Sequence, residues 1–283
     1  MPARASERRH TPDKDAKGGY ASVHGLDMYH EIHGAGRPLV LLHGALSTVG
    51  TDFGKVLPTF AQTRQVIAVE QQAHGHTADI DRPLTYARMA EDTAALLRQR
   101  HIEQADFFGY SMGGGIALQI ALRHPALVRK LVFAGGACYN PDGFYPEVRA
   151  GVEGLTPEAL AGSPFHAAYV RTGPHPEDWA ALVAKIKDLD LTFEGWPPGD
   201  IQAITVPTLL MIGDSDVVRP EHTAHMFRLL GGGVVGDVVG LPQSQLAVLP
   251  GTTHATLVDR ADWLLSMISI FLDAPMPGTT RVS

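Results

Sequence analysis

The strongest constraint on how this chain folds is the alternation of short apolar runs with segments of helical periodicity. Residues 38–42, 65–69, 105–109 and 130–134 are short and apolar on both faces, as strands buried inside a parallel sheet are. Between them, 85–99 places Met89, Thr93, Leu96 and Leu97 on one helical face, and 111–123 does the same with Ile116, Ile120 and Leu122. Ahead of this series, 20–23 and 26–32 flank His24-Gly25 and read as a β-hairpin. Strand patterns resume at 208–212 and 245–249. A last helix is expected over 259–272, with Leu264, Met267, Ile268 and Phe271 inward. Repeated strand–helix–strand units specify an α/β fold with an open, mostly parallel sheet flanked by helices.

The alternation breaks between 139 and 205. Short helical pieces there are interrupted by Pro141, Pro146, Pro157, Pro164, Pro174, Pro176, Pro197 and Pro198. Aromatic side chains concentrate in the same stretch: Tyr139, Phe144, Tyr145, Phe165, Tyr169, Trp179, Phe193 and Trp196. Two readings fit, a helical subdomain packing its own core and an apolar lid over a pocket, and a small lid needs a core as well.

Composition narrows the partners. The 283 residues are 45% hydrophobic and 19% charged, which supports one sizeable core and excludes a mostly disordered chain. Thirty acidic against 23 basic side chains, a net charge of -7, argue against nucleic acid as a partner, since phosphate binding needs clustered Lys and Arg. A single cysteine, Cys138, excludes a disulfide framework and a thiolate zinc site, and core packing is its expected role. No apolar run approaches the roughly 20 residues needed to span a bilayer. The polar N-terminus lacks an apolar segment behind Arg8-Arg9, so no export signal or membrane anchor is expected, and a soluble, cytoplasmic protein is.

Chemistry enters at Gly109-Tyr110-Ser111-Met112-Gly113, a G-x-S-x-G pattern that ends one expected strand and opens a helix. So sharp a turn strains the serine backbone and needs small neighbours, while exposing the hydroxyl above a helix N-terminus. The Met112 amide is then placed to stabilise a developing oxyanion. A serine hydroxyl is a weak nucleophile near neutral pH and requires a base oriented by a carboxylate. Gly213-Asp214-Ser215-Asp216 and Gly251-Thr252-Thr253-His254 follow the strands at 208–212 and 245–249, where open sheets place their sites. His43-Gly44-Ala45, after the strand at 38–42, offers the Ala45 amide as a second oxyanion donor; His43 itself is expected to order its loop.

Taken together and in order, these motifs resemble those of the α/β-hydrolase superfamily over about residues 20–272. The resemblance implies Ser111 as nucleophile, Asp216 as the acid in preference to Asp214, His254 as base, and the Ala45 and Met112 amides as the oxyanion hole. It also makes the proline-rich stretch a helical cap. The implied organisation is a flexible arm (residues 1–18), a first core part (19–138), the cap (139–205), a second core part (206–274) and a loose tail (275–283). Cap candidates for contacting substrate are Phe144, Tyr145, Phe165, Tyr169 and Trp196. Two departures stand out. Glu70-Gln71-Gln72-Ala73-His74-Gly75-His76-Thr77 replaces the usual Asp-x-x-Gly-x-Gly-x-Ser, which bears on pocket shape. One glycine, not several, follows His43, which disfavours bulky tertiary-alcohol esters.

The implied activity is cleavage of a small to medium carboxylic ester with an apolar portion, through an acyl-enzyme and without a cofactor. A lactonase or a carbon–carbon bond hydrolase would use the same triad, the latter with polar cap residues such as Arg171 or Lys187 holding a dienoate. From a different class, a ligand-binding protein that kept the fold and lost turnover is disfavoured by the intact Ser111, Asp216 and His254. Ser111 stands where dehalogenases and epoxide hydrolases carry a carboxylate. Close histidines (His74 and His76; His222 and His225; His24, His30 and His33) lack convergent carboxylates, and no metal site is expected. The glycine run 231–236 formally matches a dinucleotide fingerprint but is expected to follow a helix, not a strand.

Overall fold

A computed structural model describes residues 17–276. Its strands are β1 (Lys17–Val23), β2 (Leu26–His33), β3 (Arg37–Leu42), β4 (Arg64–Val69), β5 (Ala105–Tyr110), β6 (Val128–Ala134), β7 (Thr208–Ser215) and β8 (Gln245–Thr253). They form one sheet in the order β1-β2-β4-β3-β5-β6-β7-β8. The β1–β2 and β2–β4 pairs are antiparallel and every later pair is parallel. The hairpin turns on His24 and Gly25, both at positive φ (47° and 83°), which matches the twist of the strands it joins. β1 already begins at Lys17, so the last two residues assigned to the flexible arm are strand; residues 1–16 and 277–283 lie outside the described part.

Eleven helices accompany the sheet among the described residues: α1 (Val49–Phe53), α2 (Leu57–Phe60), α3 (Tyr86–Gln99), α4 (Met112–Arg123), α5 (Pro146–Glu153), α6 (Pro164–Thr172), α7 (Trp179–Leu191), α8 (Pro198–Gln202), α9 (Pro220–Leu229), α10 (Gly236–Val239) and α11 (Ala261–Asp273). Their starts follow local chemistry. The Thr85 and Ser163 hydroxyls cap α3 and α6, and proline sits in the first turn of α5, α6, α8 and α9, where no amide donor is lost. None of these helices is long and apolar enough to cross a membrane.

Strand alternation divides the core into two layers. On β3, Val40 and Leu42 join the layer under α3 and α4, while Leu39 and Leu41 join the layer formed with α1, α2 and α11. β5 sends Phe107 to the first layer and Phe108 to the second, and β6 splits Leu131 and Phe133 from Val132 and Ala134 in the same way. On α11, Leu264, Ile268, Phe271 and Leu272 are buried. Met267, expected inward, is exposed, because α11 turns the Leu264–Ile268–Phe271 stripe to the sheet and Met267 falls beside it.

Polar groups complete this docking at the opposite end of the sheet from the Ser111 turn. Asp106 is fully buried on β5 and accepts from Arg129 Nε and Nη2 at 2.6 Å each, with Arg64 Nη1 at 3.5 Å. Arg129 also donates to the Leu272 carbonyl, and Lys130 Nζ to those of Phe271 and Ala274. Cations thus meet the carbonyl end of α11, where the helix dipole favours them. Desolvation pushes the Lys130 amine down to about 8.

The region 139–205 carries α5–α8 and lies between β6 and β7. Leu182, Val183, Ile186 and Leu189 bury one face of α7. Lys185 Nζ reaches both carboxylate oxygens of Asp79 (2.7 and 2.6 Å) and the Ile80 carbonyl, which ties this region to the loop after β4. Tyr86, at the start of α3, packs edge-on against both Phe193 and Trp196.

Removing the Asp106 carboxylate would leave buried guanidinium groups uncompensated. Asp106→Ala is expected to lower the unfolding free energy by about 3–5 kcal/mol, read as a shifted urea midpoint at unchanged slope.

Candidate active site

Ser111 sits at φ 53°, ψ -119°, a conformation that non-glycine residues rarely adopt, between the end of β5 and the first turn of α4. Its amide donates to the Ala134 carbonyl at 2.9 Å, and its carbonyl accepts from the Gly114 amide at 2.8 Å, so both sides of the turn are held. Small neighbours are obligatory here. A Cβ on Gly109 would lie 2.2 Å from the Gly113 carbonyl oxygen, and one on Gly113 would lie 1.9 Å from that of Leu42. Those approaches pack α4 directly onto β3 and β5 and lift the serine side chain off the sheet edge.

His254, one residue past β8, places Nε2 3.0 Å from Ser111 Oγ and Nδ1 2.9 Å from Asp216 Oδ1. The Asp216 side chain is fully buried and accepts from the amides of Gly136 (3.2 Å), Val217 (2.7 Å) and Gly213 (3.3 Å). Asp214 is placed elsewhere: it accepts from the Gly251 and Thr252 amides at 2.9 and 3.2 Å, clamping β7 to the end of β8, and those bonds pull its carboxyl below the usual range. The His254 ring stacks on Tyr110 at 5.3 Å, and the Tyr110 hydroxyl donates to the His254 carbonyl at 2.8 Å.

The loop 43–47 faces Ser111 across the same cavity, which Ala45 and Met112 both line. It is braced from behind by the segment that departs from the family pattern. His43 Nε2 accepts from the Gln71 amide at 3.0 Å, and His74 Nε2 accepts from the Leu46 amide at 3.1 Å. Because both Nε2 atoms accept, each ring proton resides on Nδ1, where it is given to the carbonyls of Gly44 and Gln72. Both imidazoles are therefore neutral, and burial pushes both down to about 4. Leu46 is held at φ 60° by this support. Glu70 accepts from the His76 amide (2.6 Å) and the Val49 amide (3.3 Å) and pairs with the His76 ring at 2.8 Å. Asp52 takes the Gly44 amide at 2.8 Å and the Ser47 hydroxyl at 2.5 Å, and burial pushes its carboxyl up to about 6.

The cavity beside Ser111 and His254 has a volume of about 430 Å³ and is mainly apolar. Phe144, Phe165 and Trp196 line it. Tyr145 and Tyr169, the other two aromatic candidates for substrate contact, are not among its lining residues. Tyr145 is half turned to solvent at the start of α5, and Tyr169 packs on Trp179 and donates to the His175 carbonyl inside the helical region. Arg171 and Lys187 also lie off the cavity; Lys187 donates to the Glu153 and Leu155 carbonyls. Sequence reading did not single out Tyr86, Asp52, Phe193 or Asp190, all of which border the cavity. Phe193 at least carried a signal in the aromatic concentration of its region.

The remaining polar motifs find ordinary partners. Cys138 is buried, and desolvation pushes its thiol well up. His222 stacks on Tyr139, and His225 shares a hydrogen bond with the Tyr139 hydroxyl. Among the described residues, no three His, Cys, Asp or Glu side chains converge as a set able to hold a metal ion. The glycine run 231–236 follows α9 and ends at the first residue of the four-residue α10, without a strand before it.

A family profile described as the alpha/beta hydrolase fold matches residues 37–162. The chain is 29% identical over 265 residues to a 2-hydroxymuconate semialdehyde hydrolase of Pseudomonas sp. (strain CF600), spanning 84% of this chain and 88% of that one. Among solved structures, a carboxylesterase from Bacillus subtilis superposes with a TM-score of 0.71 at 20% identity, covering 93% of each chain. An enol-lactonase from Burkholderia xenovorans LB400 gives 0.64 at 20% identity, covering 90% of this chain and all of the other.

Gly113→Ala tests the close approach at the turn. The added methyl would meet the Leu42 carbonyl, so the variant is expected to lose at least about 1–3 kcal/mol of stability, measured by urea unfolding followed by circular dichroism.

Proposed function

We propose that this chain, which belongs to the alpha/beta hydrolase superfamily, is a serine hydrolase that cleaves a small to medium carboxylic ester with an apolar portion. The observation that carries this reading is the hydrogen-bonded series from Ser111 through His254 to Asp216, opening into a largely apolar cavity. His254 Nε2 takes the Ser111 proton as Oγ attacks the ester carbonyl carbon. The buried Asp216 carboxylate holds the Nδ1–H tautomer and stabilises the imidazolium that forms. The Ala45 and Met112 amides bind the oxyanion as the carbonyl π bond opens. When the intermediate collapses, the C–O bond breaks and His254 gives its proton to the departing alcohol, leaving an acyl-Ser111 ester. A water molecule then loses a proton to His254 and attacks the acyl carbon, releasing the acid and returning the proton to Oγ.

In this reading the helical region 139–205 is a cap whose rings Phe144, Phe165 and Trp196 bury the apolar part of the substrate. Lactone cleavage follows the same steps with the leaving alcohol still tethered. Carbon–carbon bond cleavage is favoured by one observation, the name of the Pseudomonas relative. Against it stands the lining of the cavity, where Arg149 is the one Arg or Lys among the described residues and is paired with Glu153 at 3.2 Å. A dienoate carboxylate would find no free cation there.

Hydrolysis of p-nitrophenyl butyrate at pH 8 tests the proposal. Wild type is expected to turn over repeatedly and Ser111→Ala to lose about 10³-fold or more in kcat/KM; equal rates in both would remove Ser111 from the mechanism. Asp216→Asn keeps the shape but offers Nδ1 a donor in place of a carboxylate, and a loss of about 10³–10⁴-fold in kcat is expected. Asp214→Asn should stay within about threefold of wild type, since its bonds join β7 to β8 and do not touch His254.

A further inference from the structure

One charged side chain in the cavity is explained neither by folding nor by the acyl-transfer chemistry. Asp190 lies one turn after Ile186 on α7, and both line the cavity with Leu191 and Phe193. Asp190 is exposed, and among the described residues its carboxylate has no hydrogen-bond or ion-pair partner, unlike Asp52 and Asp216, whose oxygens are held by amides and hydroxyls.

Its position is also unfavourable for the helix. Asp190 is the last residue but one of α7, a helix with no basic residue in its final turn, so its charge faces the negative end of the dipole. Crowding by protein atoms adds a desolvation cost that pushes the carboxyl up to about 6. The side chain is nevertheless exposed, so its carboxylate is open to whatever enters the cavity and carries a charge that no described protein group neutralises.

We propose that Asp190 is the specificity determinant of this cavity, pairing with a cationic amine that the substrate carries on an apolar chain away from the scissile carbonyl. The proposal rests on the serine hydrolase reading of the same cavity and adds the charge of the substrate to it. The surrounding groups agree in sign. Around Asp190 stand the His254 ring, the Tyr86 hydroxyl and the buried Cys138 thiol, both of the latter pushed up in part by the Asp190 charge itself. Elsewhere on the wall are Asp52 and Arg149, whose guanidinium pairs with Glu153 off the wall, so no unpaired Lys or Arg among the described residues lining the cavity competes for the carboxylate. A substrate carboxylate in this place would meet Asp190 directly.

Two p-nitrophenyl esters of nearly equal shape isolate the charge: the 4-(trimethylammonio)butyrate and the neutral 5,5-dimethylhexanoate. At pH 8 wild type is expected to favour the cationic ester by about tenfold or more in kcat/KM. Asp190→Asn should bring that ratio close to one, and Asp190→Glu should restore part of it. The ratio is the readout, because both esters share His254 and the oxyanion donors. It also works without a variant. Asp190 is ionised above about 6 and neutral below, so the wild-type preference should grow as pH rises from 5 to 7. A neutral preference in wild type, or an unchanged ratio in Asp190→Asn, would overturn the proposal. Should wild type cleave neither ester, calorimetric binding of the corresponding primary amides to wild type separates the two ideas. Tighter binding of the cationic amide would keep Asp190 as the anchor and remove the hydrolase reading; equal binding, or none, would overturn the inference itself.

Discussion

The geometry around Ser111 depends on how closely α4 approaches the sheet. With Gly109 on the strand and Gly113 on the helix, the backbone of the turn comes within a methyl radius of the Leu42 and Gly113 carbonyls. No side chain larger than hydrogen fits at either position without moving β3, β5 or α4. That contact sets the angle at which the chain leaves β5 and forces Ser111 to positive φ. It also brings the first turn of α4 beside the end of β3, from which the loop 43–47 departs. The Ser111 hydroxyl and the Ala45 and Met112 amides thus depend on the same close packing, although they come from separate parts of the chain.

A second layer keeps the loop in place. Two buried, neutral imidazoles accept backbone amides from Gln71 and Leu46, and two buried carboxylates, Asp52 and Glu70, take amides from Gly44, Val49 and His76. Each bond satisfies a backbone donor that would otherwise be stranded away from water. The segment 70–77 therefore supplies the scaffold behind the loop 43–47, where His43 and His74 act as hydrogen-bond acceptors. Their low affinity for protons follows from the same arrangement, since a protonated His43 or His74 would present a donor to an amide donor.

The inner strands β3, β4, β5 and β6 were readable from sequence because each carries a short apolar run buried on both faces, and the serine turn because its chemistry is local. Ser111, Asp216 and His254 come together in space at the ends of β5, β7 and β8, as their order along the chain suggested. Choosing Asp216 over Asp214 required the family pattern, since Asp214 lies at the end of β7 and Asp216 just past it, and only the register of the turn decides which carboxylate points inward. The ion pairs at the foot of the sheet were not legible. Asp106, Arg129 and Lys130 sit inside strands that read as apolar; Asp106 accepts from Arg129 across the sheet, and the carbonyls that Arg129 and Lys130 meet belong to a helix more than 130 residues later. The cavity was equally hidden. Whether Tyr169 faces a pocket or Trp179 depends on how α6 meets α7, which periodicity in a proline-broken stretch does not specify.

Asp190 escaped notice for a related reason. Helical periodicity sorts residues into an apolar face and a polar one, and places a carboxylate on the outer side by default. In this fold the region 139–205 has two interiors, its own core around Leu182, Val183 and Leu189 and the cavity it shares with the sheet. A residue between them, such as Asp190, is exposed as periodicity expects, yet it borders the cavity. The division also separates two kinds of constraint. The bond-breaking groups proposed here stand on the sheet, locked by glycines and buried amides that leave little room for change. The groups that would choose a substrate stand on α5–α8, joined to the core by Lys185–Asp79 and by the rings of Tyr86, Phe193 and Trp196. Few of those contacts constrain the cavity-facing positions of α7. Substrate charge and size can therefore change there without disturbing the turn at Ser111, which is a physical reason for structures of one fold to bear names as different as carboxylesterase and enol-lactonase.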